Sequence, residues 1–293
     1  MACTAFNKLV IIGVGLIGGS FALAVRKAGL VNHIVGIGRS QENMHLALER
    51  GVIDEITDDF AVALKQADLV LLAMPMGQTT RIMAQIAPHL QASTIITDAG
   101  STKQDVVAAA RQYLADHLEN VVPGHPIAGA EQSGVQAAQA DLYCNKHVIL
   151  TPLQETSADA VKQVTDLWQA CGAHVSHMPA DEHDQILAAT SHLPHILAFT
   201  LMNLLNHSTD NPENLLRFAG SGFRDFTRIA SSSPEMWRDI CLANREAILT
   251  QINAYQTELS ALQAMLTRNE GNALEKAFSQ ARVIRENWLK SKD

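Results

Sequence analysis

The stretch Lys8-Leu9-Val10-Ile11-Ile12-Gly13-Val14-Gly15-Leu16-Ile17-Gly18 decides the fold. A short β-branched run leads straight into Gly-x-Gly-x-x-Gly, and Phe21 to Leu30 then reads as a helix. Three glycines between a strand and a helix form a dinucleotide-binding fingerprint. Gly13 permits the tight turn, Gly15 lets backbone approach a pyrophosphate, and Gly18 allows close packing of helix on strand. The amides of Leu16 and Ile17 then open a helix whose positive end faces the phosphates. The bland alternative is a glycine-rich turn with nothing bound.

A second strand, His33 to Ile37, ends where an NAD enzyme places Asp or Glu on the ribose 2′-hydroxyl, about 20 residues past the last glycine. Here the residues are Gly38, Arg39 and Ser40. The Arg39 guanidinium pairs with a 2′-phosphate that a carboxylate would repel, and the Ser40 hydroxyl donates a hydrogen bond to it, which favours NADP. NAD remains open if Arg39 stacks on the adenine or lies in solvent.

Outward from there the α/β alternation continues. Helices are expected at Gln41–Arg50, Ala61–Gln66 and Arg81–Leu90. Strands are expected at Leu69–Ala73, which Pro75 stops, at Thr94–Thr97, at Val121–Val122, at His147–Leu150 and at Ala173–Met178. Near-continuous apolar strands separated by helices predict a mostly parallel sheet covered on both faces. Met74 and Pro75, Ser101 and His125 then open on one edge of it, where such sheets bind ligands. His125, held between Gly124 and Pro126 in VVPGHPIAGAEQSG (Val121 to Gly134), suits general-base work near neutral pH.

The strand signal stops near Ala180. Glu182 to Leu205 reads as helix with Pro194 as a kink or break, and Pro234 suits the first turn of a long helix. That helix carries Ile252, Tyr255, Leu259, Leu262 and Leu266 at heptad-like steps, and a last helix spans about Asn272 to Leu289. The division is thus α/β, a Rossmann-type dinucleotide domain at 1–179 and an all-helical substrate and dimerisation domain at 180–293. So much apolar stripe favours a homodimer over packing within one chain.

Bulk properties narrow the partners. The 293 residues are 47% apolar and 18% charged, with net charge -8. An acidic balance argues against nucleic acid and toward a small-molecule ligand. Cys3, Cys144, Cys171 and Cys241 are scattered without metal-ligand spacing and read as reduced thiols, with no metal expected. No secretory signal and no apolar run of about 18 residues stands out, so a cytoplasmic protein off the membrane is expected.

Four polar clusters remain: Ser101 with Lys103; His125 with Glu131; His183 with Ser191-His192-Leu193-Pro194-His195; and Gly222-Phe223-Arg224-Asp225-Phe226-Thr227-Arg228-Ile229-Ala230 followed by Met236-Trp237. Each alone has a structural explanation in helix packing or surface charge. Together with GVGLIGGS, DAGSTK, GHPIAGAE, EHD and SHLPH in this order, they closely resemble the prephenate/arogenate (cyclohexadienyl) dehydrogenase family over nearly the whole chain.

The resemblance implies oxidative decarboxylation of prephenate, L-arogenate or both, with hydride transfer to NADP or NAD in tyrosine biosynthesis. It makes His125 the acceptor of the ring hydroxyl proton and Ser101 a hydrogen-bond partner of that hydroxyl. Arg228 holds a substrate carboxylate, while His195 and His183 line the pocket. Glu131 and Asp225 gate it, Asp225 across the dimer, and Trp237 packs near the substrate. Ala130 stands where some relatives carry a hydroxyl, which leaves the side-chain preference open. No regulatory or mutase segment is expected, so tyrosine feedback would act near the active site. Two rivals stay open: a β-hydroxyacid dehydrogenase-like reductase, although Glu182 to Leu205 lacks the lysine such enzymes use, and a non-catalytic NADP-binding sensor.

Overall fold

The computed structural model describes residues 6–130, 132–207 and 215–290, so Cys3 and Glu131 lie outside the described residues. The chain divides into two compact units, Met1–Arg245 and Glu246–Asp293.

The first unit is built on strands β1 (Phe6–Ile12), β2 (Val31–Ile37), β3 (Glu55–Ile56), β4 (Leu69–Leu72), β5 (Ile95–Asp98) and β6 (Val121–Val122). They form one parallel sheet in the order β3-β2-β1-β4-β5-β6. Leu9 and Ile11 pack into one core and Val10 and Ile12 into the other, which is why β1 carries apolar residues at successive positions. Helices α1 (Leu16–Lys27) and α2 (Gln41–Glu49) cover the first face through Phe21, Val25 and Met44. The other face takes α3 (Phe60–Leu64), α4 (Thr79–Ile86) and α5 (Gln104–Tyr113), through Leu64, Met83 and Val106. Strand order reverses between β1 and β4, so Gly13 and Met74 leave the sheet side by side at its carboxyl edge. The expected shared edge for Met74, Ser101 and the segment leading to His125 follows from the parallel β4, β5 and β6.

Two features differ from expectation, and a third resolves an alternative. The strands at His147–Leu150 (β8) and His174–His177 (β9) do not extend the parallel sheet. They form a second, three-stranded sheet with β7 (Gly124–Pro126), antiparallel to β8, while β8 and β9 run parallel. Pro123 supplies the reason: it has no amide to continue the β6 ladder, so the chain leaves the first sheet and re-pairs with β8. His125 therefore sits inside β7 rather than after a strand end. Helix α6 (Ala158–Ala170) packs Leu167 and Trp168 against Phe21 and Tyr143, joining the second sheet to the first core.

Of the two outcomes expected at Pro194, a kink or a break, the helix shows the milder: it is distorted but not ended. Helix α7 (Ala180–Leu187) continues through a π-helical turn, Ala188–His192, into α8 (Leu193–His207). The missing proline amide leaves the preceding turn without its usual bond, and the helix accommodates it by widening there.

The expected long helix from Pro234 is two. After α9 (Ser221–Thr227) and a 3₁₀ turn at Arg228–Ser231, α10 (Pro234–Ala243) begins with the Ser233 hydroxyl accepting from the Met236 amide. Helix α10 ends at Asn244, whose backbone departs from helical values (φ -107, ψ 34). Helices α11 (Arg245–Thr267) and α12 (Gly271–Lys290) follow. Among the described residues no helix is long and apolar enough to cross a membrane.

Candidate active site

The glycine loop meets the demands of a pyrophosphate. Gly13 has φ +101, and a Cβ there would lie 2.5 Å from the Ala73 carbonyl oxygen. At Gly15 a Cβ would meet nothing within 4 Å, so the backbone borders open space. Helix α1 begins there with no acidic residue in its first turn, and its first amides have no partner inside the helix. This end of α1 fits the diphosphate of a dinucleotide by charge and by room. Asn43 fixes the loop, its amide donating to the Val14 carbonyl at 2.6 Å and its oxygen accepting from the Val135 amide at 2.9 Å.

Beyond β2 the two residues expected to read the ribose are placed differently. Arg39 is exposed, 3.9 Å from the Glu235 carboxylate. Ser40 caps α2, its hydroxyl oxygen accepting from the Asn43 amide at 3.2 Å. Met74 and Pro75 follow β4 and are half-buried.

His125 lies at the centre of a buried polar array. Its Nδ1 is 2.8 Å from His183 Nε2, and His183 Nδ1 is 2.8 Å from Asp184 Oδ1. Asp184 in turn accepts the backbone amides of Lys103 (2.8 Å) and Gln104 (2.9 Å), where α5 begins. Burial works against the Asp184 carboxylate, but the His183 contact and those two amides hold its pKa below the ordinary value. His125 Nε2 has no hydrogen-bond partner among the described residues. Burial, followed by the charges of His183, Lys103 and His192, holds the His125 pKa well below the usual histidine value, so the ring is a neutral base at neutral pH.

A buried ion pair supports the same segment. The Lys103 ammonium donates to Asp98 and, at 2.7 Å, to the Gly124 carbonyl, while Asp98 accepts the Gly124 amide at 3.0 Å. Both backbone groups of the residue preceding His125 are thus held. Sequence reasoning had Lys103 but missed Asp98 and Asp184; DAGSTK and EHD contain them without revealing their pairing. Ser101 is half-buried on the loop between β5 and α5, and its hydroxyl has no hydrogen-bond partner among the described residues.

A second cluster adjoins the first. His195 stacks on Trp237 with ring centroids 3.9 Å apart and planes at 24°. Its Nδ1 donates to the Ser191 carbonyl at 2.9 Å. Burial and the Arg228 charge lower its pKa. The Trp237 indole donates to the Ser232 hydroxyl at 2.8 Å, which locks the ring. Buried His192 lies edge-on to the same indole and 3.2 Å from the Asn244 amide, which also donates to the Asp184 carbonyl at 2.7 Å. Asn244, which sequence reasoning missed, therefore joins the two clusters.

Arg228 is exposed and lines an open cleft with Met202, Arg224, Thr227, Ala230 and Ser231. Asp225 is exposed on α9, and Ala130 is exposed on the loop after β7. His183 does not stand at an open face: it is buried behind His125 with both ring nitrogens engaged. Among the described residues no group of three or more His, Cys, Asp or Glu side chains could hold a metal.

Comparison with known proteins identifies the chemistry that this site resembles. Residues 21–177 match the family model "Prephenate dehydrogenase, nucleotide-binding domain", and residues 179–280 match "Prephenate dehydrogenase, dimerization domain". The prephenate dehydrogenase of Bacillus subtilis (strain 168) is 40% identical over 281 residues, 96% of this chain and 76% of that protein. The cyclohexadienyl dehydrogenase of Zymomonas mobilis is 36% identical over 286 residues, covering 96% of each. The crystal structure of prephenate dehydrogenase from A. aeolicus, in complex with hydroxyphenyl propionate and NAD+, superposes with a TM-score of 0.89. It is 34% identical and covers 96% of this chain and 98% of that one.

Proposed function

The chain belongs to the prephenate dehydrogenase family, and on that premise we propose a residue-level account of its oxidative decarboxylation, with NAD(P)+ as hydride acceptor, in tyrosine biosynthesis. The substrate is a small molecule, a cyclohexadienol carrying a ring carboxylate: prephenate, L-arogenate or both.

His125 carries the assignment. Its Nε2 takes the proton of the ring hydroxyl, and the observation behind this is a neutral, oriented imidazole whose Nε2 has no partner among the described residues. The Ser101 hydroxyl, also without a partner among the described residues, hydrogen-bonds the same oxygen. When bound, the nicotinamide accepts the hydride from the carbon that bears this hydroxyl. Departure of the ring carboxylate as CO2 then completes an aromatic ring, which drives the reaction. Arg228 pairs with a substrate carboxylate through its guanidinium fork. The locked His195–Trp237 stack supplies a flat wall for the ring. Glu131 and Asp225 gate the entrance, and Gly13, Gly15, Leu16, Ile17, Gly18, Met74 and Pro75 cradle the dinucleotide.

NADP is the favoured cofactor, because no carboxylate immediately follows β2 and the Arg39 guanidinium stands there to pair with a 2′-phosphate. Residues 1–179 form the nucleotide-binding domain and 180–293 the substrate and dimerisation domain. The protein acts as a cytoplasmic homodimer.

The test is purified protein with prephenate or L-arogenate, each with NAD+ or NADP+, following reduced nicotinamide and released CO2. Turnover in any combination with stoichiometric CO2 is the expected result; none in all four overturns the reading. Arg39→Asp should weaken NADP at least about tenfold more than NAD, and an equal loss for both would refute the 2′-phosphate argument.

A further inference from the structure

His183 and Asp184 lie behind His125 rather than at an open face, and both are fully buried among the described residues. The chain of contacts runs from the α5 amides of Lys103 and Gln104 to Asp184, from Asp184 to His183, and from His183 to His125.

Each link sets the direction of the next. The ionised carboxylate of Asp184 only accepts, so His183 Nδ1 must carry a proton and donate it. With a single proton on His183, placed on Nδ1 by Asp184, the lone pair lies on Nε2, which then accepts from His125 at 2.8 Å. His125 Nδ1 must therefore carry the ring proton. What is left on His125 Nε2, the nitrogen with no partner among the described residues, is a lone pair. We infer that His183 and Asp184 are positioning residues that hold His125 in the single tautomer able to act as a base through Nε2. The logic is that of the aspartate in a serine-protease triad, which keeps the neighbouring imidazole in its working tautomer.

The groups facing His125 fit this arrangement. Lys103 and His192 approach from α5 and from the π turn, and His183 approaches from α7. Lys103 is neutralised by Asp98 and cannot accept from an imidazole. His192 is turned to Asn244. Among the described residues only His183 offers His125 Nδ1 an acceptor, and only Asp184 decides which nitrogen of His183 that acceptor is. The substrate proton then adds at His125 Nε2. The imidazolium then formed is stabilised through His183 by the Asp184 carboxylate.

This inference rests on His125 being the base, and its test separates the two. Ring-nitrogen NMR of the ¹⁵N-histidine-labelled protein should show His125 protonated at Nδ1 and bare at Nε2. In Asp184→Asn the amide can donate to His183 Nδ1, which reverses the chain and puts the His125 proton on Nε2. Turnover should then fall by about 10²-fold or more in kcat, with KM for the dienol changed less than about threefold. Because Asp184 also holds the start of α5, a second pair is informative. His183→Gln places an amide oxygen near the original Nε2 and should keep most of the activity and the spectrum, whereas His183→Leu should lose both. Equal losses in Gln and Leu variants, or an unchanged His125 spectrum in Asp184→Asn, would overturn the relay. Failure of the wild-type protein to turn over any dienol would instead overturn the proposed reaction, and the spectrum would still decide the tautomer.

Discussion

Lys103 is a lysine without solvent, and its removal tests how the ground beneath His125 is held. Its ammonium neutralises Asp98 and donates to the Gly124 carbonyl. Lys103→Met preserves the stem but leaves the Asp98 carboxylate buried and unpaired, a change that costs about 3–5 kcal/mol. Urea denaturation should show that loss, and a midpoint within error of wild type would mean that Asp98 finds another partner. His192 makes the same point through pH. Burial, offset in part by Asp184, lowers its pKa from 6.5 to about 4. Between those values the unfolded chain binds a proton that the folded chain refuses, so stability is full above pH 6.5 and falls as pH drops toward 4. The loss over that window is about 3 kcal/mol, and His125 adds to it in the same direction. Denaturation midpoints from pH 7 to pH 4.5 should trace this fall, with a shallower slope in His192→Leu. Single residues of this kind were half-legible in the sequence. His125 and Lys103 stand in recognisable motifs, but Asp184 reaches Lys103 across 81 positions, and no local pattern reports such a pairing.

At the scale of elements, two glycines of one fingerprint separate folding from binding. A Cβ at Gly18 would lie 2.2 Å from the Gly13 carbonyl oxygen, so Gly18→Ala must push α1 away from β1. At Gly15 the same Cβ meets only open space. Gly15→Ala should keep the thermal midpoint within about 2 °C and raise KM for the dinucleotide at least about tenfold, by occupying the space of the pyrophosphate. Gly18→Ala should lower the midpoint clearly; equal midpoints would remove the structural distinction between the two positions. The parallel strands were legible because burial on both faces demands apolar residues at every position. The second sheet was not, since β7 has three residues and its pairing with β8 depends on where Pro123 releases the chain. The break at Asn244 was hidden as well: asparagine interrupts helices only weakly by propensity, and here its side chain is held by contacts far away in sequence.

For the whole molecule, the question is what covers α11 and α12. These helices are 23 and 20 residues long, and Ile248 is the only buried residue among those described in them. Tyr255, Leu259 and Leu266 of the expected seam are 42%, 54% and 59% exposed, and Phe278, Ile284 and Trp288 on α12 are 59%, 70% and 50% exposed. Apolar side chains at this density are not left in water by a stable monomer. Obligate dimers bury such helical faces over roughly 2,000 Å² or more. The proposed occupant is a second copy of the chain, because a face that meets itself across a two-fold axis closes by symmetry. Light scattering on a sizing column should therefore return about twice the chain mass of 31.8 kDa. Leu259→Glu with Leu266→Glu places charges in the seam and should shift the mass to that of one chain, because an unpaired carboxylate does not enter a dry interface. If Asp225 gates the site across the dimer, the monomeric double variant also loses activity with both cofactors. A double variant that stays dimeric would move the interface off α11.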